Sequence, residues 1–155
     1  MSDYIRIQKA RYRDRITAEI DIPEELFQYQ IPKLILQPIV ENAFVHGLEM
    51  KRGKGLLTIT GCRSGGTITV RVCDNGIGMS QEQIDRILNQ SETSDAQTIG
   101  LGNVHRRLRL LYGGSYGVRI QSAADKGTAV TLTFPVRENT IENMEVNRNV
   151  PSADC

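Results

Sequence analysis

Two runs of alternating polar and apolar residues, each broken by a turn sequence, constrain the fold of this chain more than any other feature. The first, "GLLTITGCRSGGTITVRVCDNG" (55–76), breaks at "RSGG", and the second, "VRIQSAADKGTAVTLTFP" (118–135), breaks between Asp125 and Gly127. Alternation with a period of two predicts half-buried strands, and glycine-rich breaks predict tight turns. The chain is therefore predicted to form two antiparallel hairpins.

Other patterns precede and separate the hairpins. We predict a charged helix over 3–14, a strand at "RITAEIDIP", an apolar helix at 31–49, a short helix at "SQEQIDRIL" and a basic helix over about 102–112. Ser80 and Gln83 of the short helix have the spacing of a capping box. Pro32 suits the first turn of the apolar helix, whereas Pro38 lies inside it and predicts the loss of one backbone hydrogen bond. This order of elements favours an α+β two-layer sandwich over a doubly wound parallel sheet.

Composition excludes several classes of protein. The 155 residues carry 19 basic and 18 acidic side chains, and this balance points to neither nucleic acid nor a membrane surface. The apolar run "LILQPIV" is too short to span a membrane, and the N-terminus is too charged for a secretory signal. Cys62, Cys73 and Cys155 are scattered, so we expect reduced thiols in a cytosolic protein and no zinc site.

Residues 89–98 are expected to form a polar surface loop, and residues 137–155 a disordered tail.

The apolar helix contains three polar side chains in "ENAFVHG". Asn42 and His46 are four residues apart and share one face, with Glu41 about 100° round the helix. Buried polar groups need partners, and amide and carboxylate oxygens suit Mg²⁺ with substrate phosphates. The sequence leaves two interpretations open: a magnesium site, or a helix end whose polar groups face solvent.

Two glycine-rich segments follow. Asp74 ends a strand at "DNGIGM", where a carboxylate beside a glycine loop suits an exocyclic amine such as adenine N6, although the same letters are typical of a simple turn. In "GLGN", the free N–H groups of a first helical turn favour an anion. Arg106, Arg107 and Arg109 beyond it are equally compatible with a solvated basic face. Gly127 and Thr128 in "KGT" begin a strand, which a hairpin turn also explains.

Together and in this order, these motifs resemble the ATP-binding domain of the superfamily of DNA gyrase, heat-shock chaperones, sensor histidine kinases and mismatch-repair ATPases. "ENAFVHG" looks like the N box, "DNGIGM" and "GLGN" like the two glycine boxes, and "KGT" like the third element. "LQPIVENAFVHG" with "GLGNVHRRLRLLYG" resembles the autolysin-regulator (LytS-like) class of bacterial sensor histidine kinases. The resemblance covers residues 16–136 and implies a Bergerat-type fold, with a mixed, mainly antiparallel sheet covered by helices on one face.

The resemblance also implies ATP and Mg²⁺ as ligands and a role for each matching residue. Asn42 is expected to bind Mg²⁺, Glu41 to activate the attacking nucleophile, and Asp74 to accept from the adenine amine, with Thr128 sharing a water. Residues 89–99 are expected to form the ATP lid. The other ATP-binding residues that it implies are His46, Gly76, Ile77, Gly78, Met79, Gly100, Leu101, Gly102 and Asn103.

The same resemblance implies transfer of the γ-phosphate to a histidine on a separate domain. Neither His46 nor His105 has the setting expected of that acceptor, and residues 1–15 look like the end of a linker helix from a missing upstream dimerisation and phosphoacceptor region. The expected partners are that region and a response regulator, without nucleic acid. We expect a cytoplasmic domain of a kinase held in the plasma membrane, and a homodimer only in the full-length protein.

Three other functions are compatible with this fold. An anti-sigma-factor-type serine kinase has this fold, but its base Glu lies four residues before the N-box Asn, where this chain has Pro38. A gyrase-type or chaperone-type ATPase needs a following domain, whereas a polar tail ends this chain. A degenerate binding domain would have lost Asn42, Asp74 or the glycines. The histidine kinase interpretation is therefore favoured, with the serine kinase as the alternative.

Overall fold

The computed structural model describes residues 15–31, 35–89 and 99–137. Four of the sequence predictions concern residues outside these ranges. They are the helix at 3–14, the role of Pro32, the polar loop beyond Asn89 and the tail beyond Arg137.

A five-stranded sheet is built from the two predicted hairpins and one added strand. Its order is β1–β2–β3–β5–β4. Strands β3 and β5 pair antiparallel and join the hairpins edge to edge, and β1 pairs with β2 in parallel. The strands are β1 (Ile16–Asp21), β2 (Gly55–Ser64), β3 (Thr67–Asp74), β4 (Gly117–Ala123) and β5 (Gly127–Pro135). The prediction of a mixed, mainly antiparallel sheet is confirmed.

Three helices in the described part of the chain pack on the apolar face of this sheet. They are α1 (Leu36–Asn42, continued by the π-helical turn Ala43–Leu48), α2 (Gln81–Asn89) and α3 (Ile99–Tyr112). A 3₁₀ turn, Glu24–Gln28, follows β1. Along β3, β4 and β5 the buried side chains lie at alternate positions beneath the helices, whereas in β1 and β2 this alternation stops after Ala18 and Ile59. The two-layer α+β architecture is therefore confirmed.

Helix α2 begins with the capping box that its sequence predicts. The Gln83 backbone N–H donates to Ser80 Oγ at 3.3 Å, and the Ser80 N–H donates to Gln83 Oε1 at 2.8 Å. Two N–H groups at the helix start are thereby satisfied reciprocally.

The predicted start of α3 was wrong by three residues. The helix begins at Ile99, so Gly100 and Gly102 lie inside its first turn. An ideal Cβ on Gly102 would lie 2.6 Å from the Ile87 carbonyl oxygen of α2. The glycine is thus a requirement of helix packing, although glycine in a sequence is read first as a loop signal.

The predicted effect of Pro38 was also wrong. Helix α1 begins at Leu36, so Pro38 is its third residue. The first four N–H groups of a helix have no intrahelical partner, and the ring therefore removes no helical hydrogen bond. The irregularity lies further on, where the helix widens into the π-helical turn after Asn42.

Two further observations complete the fold. Cys62 is exposed and Cys73 half-buried, both as free thiols. Within the described ranges, none of the helices combines the length and apolar character that crossing a bilayer requires.

Candidate functional site

A row of three polar side chains crosses the sheet where β3, β5 and β4 meet the helices. Asp74 stands opposite Thr128, and Thr128 stands opposite Ser122. The side chains of a strand alternate between the two sheet faces, and these three positions share the helix-covered face. The strand register therefore brings the predicted residues Asp74 and Thr128 together.

The Asp74 carboxyl is buried against helix α1. It is 9% exposed, and its Oδ1 accepts from the Gly76 N–H at 2.8 Å. An ideal Cβ on Gly47 would lie 2.7 Å from this same oxygen, so only glycine at 47 lets the helix approach so closely. No local sequence pattern indicates this contact between Gly47 and Asp74.

The glycines after Asp74 hold a loop tightly against α1 and the second hairpin. The Ile77 N–H donates to the Gly47 carbonyl at 3.2 Å, and the Ile77 carbonyl accepts from the Asp125 N–H at 2.7 Å. Gly78 has φ +71°, and a Cβ there would lie 1.9 Å from the Ala123 carbonyl oxygen. No larger side chain fits at 78 without moving the backbone.

Burial raises the pKa of Asp74 to about 6. The backbone N–H groups of Gly76 and Thr128 and the charge of Lys51 act in the opposite direction, and burial outweighs them. A buried carboxylate with part of its acceptor capacity unused favours a ligand that donates a hydrogen bond.

The hydroxyls of Ser122 and Thr128 form a short chain beside Asp74. Ser122 Oγ donates to the Gly127 carbonyl at 2.8 Å and accepts from the Met79 N–H at 2.8 Å. It also lies 2.9 Å from Thr128 Oγ1. A hydroxyl has one proton, and that of Ser122 is used, so the Thr128 hydroxyl donates to Ser122 and keeps its own oxygen available as an acceptor.

Next to this row is a cavity of about 490 Å³ between helix α1, the glycine loop and helix α2. Its volume is within the usual range for a small-molecule site. Five of the predicted residues line it, namely Asn42, His46, Ile77, Gly78 and Met79. The other lining residues were not predicted, and they are Val45, Glu49, Met50, Gln83, Arg86 and Ile87.

Arg86 is the one lysine or arginine among the described residues that line the cavity. Its guanidinium lies 3.0 Å from Glu82 one helical turn earlier, in an ion pair whose side chains are 54% and 82% exposed. Such an exposed pair contributes little stability, so Arg86 can exchange Glu82 for an anionic ligand at small cost. The i, i+3 spacing of Gln83 and Arg86 was the available sequence signal that they share a helix face.

The remaining predicted residues are not among the described residues that line the cavity. Glu41 precedes Asn42 on α1, and its Oε1 accepts from Gln37 Nε2 at 2.8 Å. Residues 100–103 follow Ile99 at the start of α3, where a Cβ on Gly100 would lie 3.5 Å from Pro38 Cβ. The start of α3 is therefore next to the start of α1.

The donor set of the cavity fits Mg²⁺ only when a ligand supplies further oxygens. Asn42 offers an amide oxygen and Glu49 a carboxylate, and no cluster of three or more His, Cys, Asp or Glu residues occurs in the described ranges. Mg²⁺ is usually held by one or two protein oxygens with waters and substrate phosphates, which this set allows.

Residues 29–138 match the family described as histidine kinase-, DNA gyrase B-, and HSP90-like ATPase. The chain belongs to this ATPase family. Its predicted N box, both glycine boxes and "KGT" element all lie within the matched range.

Bacterial sensor kinases are among the relatives of this ATPase domain. It is 38% identical over 135 residues to the sensor histidine kinase YpdA of Escherichia coli, across 87% of this chain and 23% of that protein. It is 33% identical over 138 residues to the sensor protein LytS of Oceanobacillus iheyensis, across 86% of this chain and 23% of that protein. The chain thus spans less than a quarter of the length of these relatives.

Solved structures confirm the fold of the ATPase domain. The mycobacterial sensor histidine kinase MprB aligns with a TM-score of 0.57 and 20% identity, covering 89% of this chain and 95% of that one.

Proposed function

We propose that this domain binds Mg·ATP and transfers the γ-phosphate to a histidine on a separate domain of the same sensor kinase. The observation that carries the proposal is the buried Asp74 carboxyl beside a cavity whose wall presents Asn42 and His46. The family match and the identity to sensor histidine kinases support it.

The adenine end of the site is assigned to Asp74 and the glycine loop. The carboxyl accepts from the adenine amine, while Gly76, Ile77, Gly78 and Met79 shape the adenine pocket. Thr128 has an acceptor oxygen available to hold a water beside the same amine, because its proton is directed at Ser122. A site built to hydrogen-bond a group discriminates strongly against ligands that lack it.

The phosphate end is assigned to α1 and the first turn of α3. Asn42 offers its amide oxygen to Mg²⁺, which supplies charge neutralisation on the phosphates when bound. His46 and Arg86 line the same cavity and add donors, and the N–H groups of Gly100 and Leu101, at the start of α3, have no intrahelical partner. These groups position the triphosphate chain, and positioning supplies much of the rate in phosphoryl transfer.

Glu41 is assigned to the incoming acceptor. Its carboxylate accepts a hydrogen bond from one imidazole nitrogen, which directs the lone pair of the other nitrogen at the γ-phosphorus. The new N–P bond forms as the bond to the bridging oxygen breaks, and ADP leaves. The Gln37 amide, 2.8 Å from Glu41 Oε1, fixes the carboxylate for this role.

The acceptor is assigned to another domain because neither histidine of this chain is suited to it. His46 is on the helix that carries Asn42 and cannot move in line from there. The Val118 N–H donates to His105 Nδ1 at 3.1 Å, which fixes that ring against β4 away from the cavity. We therefore place an upstream phosphoacceptor domain and a response regulator among the partners, with the full-length kinase at the plasma membrane and this domain in the cytoplasm.

Radiolabelled transfer tests the proposal directly. The domain is incubated with γ-labelled ATP and Mg²⁺, alone and with a helical histidine-bearing segment from the same kinase. We expect acid-labile label only on the added segment. Glu41→Gln should reduce transfer by about 10²-fold or more, the scale of general acid–base assistance, while ATP binding stays near wild type. Glu25→Gln, on the exposed 3₁₀ turn, is the matched control.

Two outcomes contradict the assignment. Acid-labile label on the domain alone that disappears in His105→Ala makes the chain a self-contained histidine kinase. Acid-stable label on a serine favours the anti-sigma-factor-type alternative.

A further inference from the structure

Outside the nucleotide cavity, the C-terminal half of α3 borders a second depression of about 440 Å³. We call it the α3 groove. Among the described residues it is lined by Leu88, His105, Arg106, Arg109, Leu110 and Gly114, and none of these lines the nucleotide cavity.

The lining residues in the described part of the chain include two arginines and no acid. Arg106 donates to Asn103 Oδ1 at 2.7 Å, a bond that fixes its guanidinium and leaves other N–H donors unused. Arg109 extends over Gly114, whose ideal Cβ would lie 3.4 Å from Arg109 Nη2. Helix α3 carries no Asp or Glu from Ile99 to Tyr112, so no acid of its own helix neutralises the groove.

The same surface is unusually apolar for an exposed helix. Leu110 is 87% exposed and its neighbour Leu111 is 47% exposed, and Leu88 is half-buried at the opposite wall. Single exposed leucines are common on protein surfaces. Here two exposed leucines lie beside a depression that Arg106 and Arg109 also line, and an apolar centre with a polar rim is the usual composition of a protein interface.

We propose that the α3 groove docks an acidic amphipathic helix of a partner protein. An apolar side chain of that helix enters the depression between Leu88 and Leu110, and Asp or Glu side chains flanking it pair with Arg106 and Arg109. Arginine forms bidentate pairs with carboxylates, and helix-in-groove recognition uses apolar anchors at i, i+3 and i+4 spacing.

The shape of the groove favours this occupant over other anions. A bilayer surface is flat and cannot fill a depression beside α2, and a nucleic acid backbone would leave Leu88 and Leu110 against phosphate and sugar. The groove is also separate from the nucleotide cavity. Residues Arg86 and Ile87 of α2 line that cavity whereas Leu88 lines the groove, so both sites can be occupied together.

The test uses a fluorescein-labelled synthetic helix of about 15 residues, long enough to be helical when stapled, with Leu at i, i+3 and i+7 and Glu on the flanking positions. Binding is measured by fluorescence anisotropy and mapped by amide chemical shifts. The comparison probes are the same helix with Lys for Glu, phosphatidylglycerol vesicles and a DNA duplex. We expect saturable binding of the Glu helix alone, with shifts at α3 and Leu88.

Leu110→Asp should weaken the Glu helix at least about tenfold, because a central apolar anchor becomes a like charge. Arg109→Gln should weaken it and reduce the salt dependence. Arg119→Gln, an exposed arginine on β4, is the matched control and should leave binding unchanged. All variants should retain wild-type nucleotide binding, which separates this proposal from the ATP assignment.

Several results would overturn the proposal. They are equal binding of the Lys helix, no effect of Leu110→Asp, or binding only to vesicles or DNA. Binding of the Glu helix only after removal of residues 138–155 would make the chain's own tail the occupant and would also overturn it.

Discussion

At the scale of single residues, Asp74 shows how far burial can alter the chemistry of one carboxyl. Its sequence setting, a strand end before Asn-Gly, predicts an acceptor but not its proton affinity. The close approach of Gly47 buries the carboxyl, and burial raises its pKa from 3.8 to about 6. That contact depends on a helix 27 positions away in sequence, which no local pattern reveals.

This pKa has a consequence for stability with a definite sign. Below pH 3.8 the carboxyl is protonated in both the folded and the unfolded state. As pH rises through the folded pKa of about 6, the folded state must ionise a buried group, so stability is lost, on the order of 3 kcal/mol in total. Asp74→Asn keeps the Oδ1 acceptor without the titration. Relative to that variant, the ligand-free wild type should lose stability to urea between pH 4 and 7, by about this amount.

Parallel stability curves for the wild type and Asp74→Asn across this pH range would contradict the buried-carboxyl account. A larger loss in the variant would contradict it also, because it would mean that folding lowers the pKa of Asp74.

Arg86 is the residue-scale test of the phosphate end. Arg86→Gln should weaken ATP binding about three- to tenfold, a range reduced for an exposed side chain, and leave adenosine binding unchanged. Arg71→Gln, exposed on β3, is the matched control. Calorimetric affinities for both ligands check this, and an equal loss for ATP and adenosine would assign Arg86 to the stability of α2 instead.

At the scale of secondary-structure elements, the close contact between α2 and α3 depends on the absence of a side chain at Gly102. A Cβ on Gly102 would lie 2.6 Å from the Ile87 carbonyl oxygen, whereas one on Gly100 would meet Pro38 Cβ at 3.5 Å, an ordinary contact. Both positions are helical, so alanine gains up to about 1 kcal/mol of intrinsic helix propensity at each.

The two glycines therefore form a matched pair for a stability measurement without nucleotide. Gly100→Ala should leave the free energy of unfolding unchanged or slightly raised. Gly102→Ala should lower it by about 1–3 kcal/mol, because α2 and α3 must move apart. Denaturant unfolding of both variants checks the prediction, and equal effects at the two positions would mean that α2 adapts without strain.

Elements with a strong local signal were predicted well. The hairpin turns at Gly65 and near Asp125, and the capping box at Ser80, follow from residue types that act on their immediate neighbours. The start of α3 and the effect of Pro38 were predicted wrongly, because packing and the position of the first turn set the helix boundaries there. The π-helical turn after Asn42 has no sequence signature of its own.

At the scale of the whole molecule, the order of the strands in the sheet determines which residues meet at the candidate site. Residues Asp74 and Thr128 are 54 positions apart, and the β3–β5 pairing makes them neighbours. Motif order was sufficient to select these residues through the resemblance to a known family. The cavity wall formed by α2, with Gln83, Arg86 and Ile87, was missed because the contacts of α2 with the other elements cannot be read from its own sequence.

The central claim is that one cavity holds adenine at Asp74 and phosphates at Asn42, and titration calorimetry with two ligands tests it most directly. Wild type should bind Mg·ATP at a single site. Asp74→Asn should weaken ATP by about 1–3 kcal/mol, the cost of a buried hydrogen-bonding group losing its proper partner, and leave Mg·tripolyphosphate nearly unchanged. Asn42→Ala should weaken both ligands and remove the Mg²⁺ dependence. Equal loss of both ligands in Asp74→Asn, or no binding of Mg·ATP by folded wild type, would contradict the account.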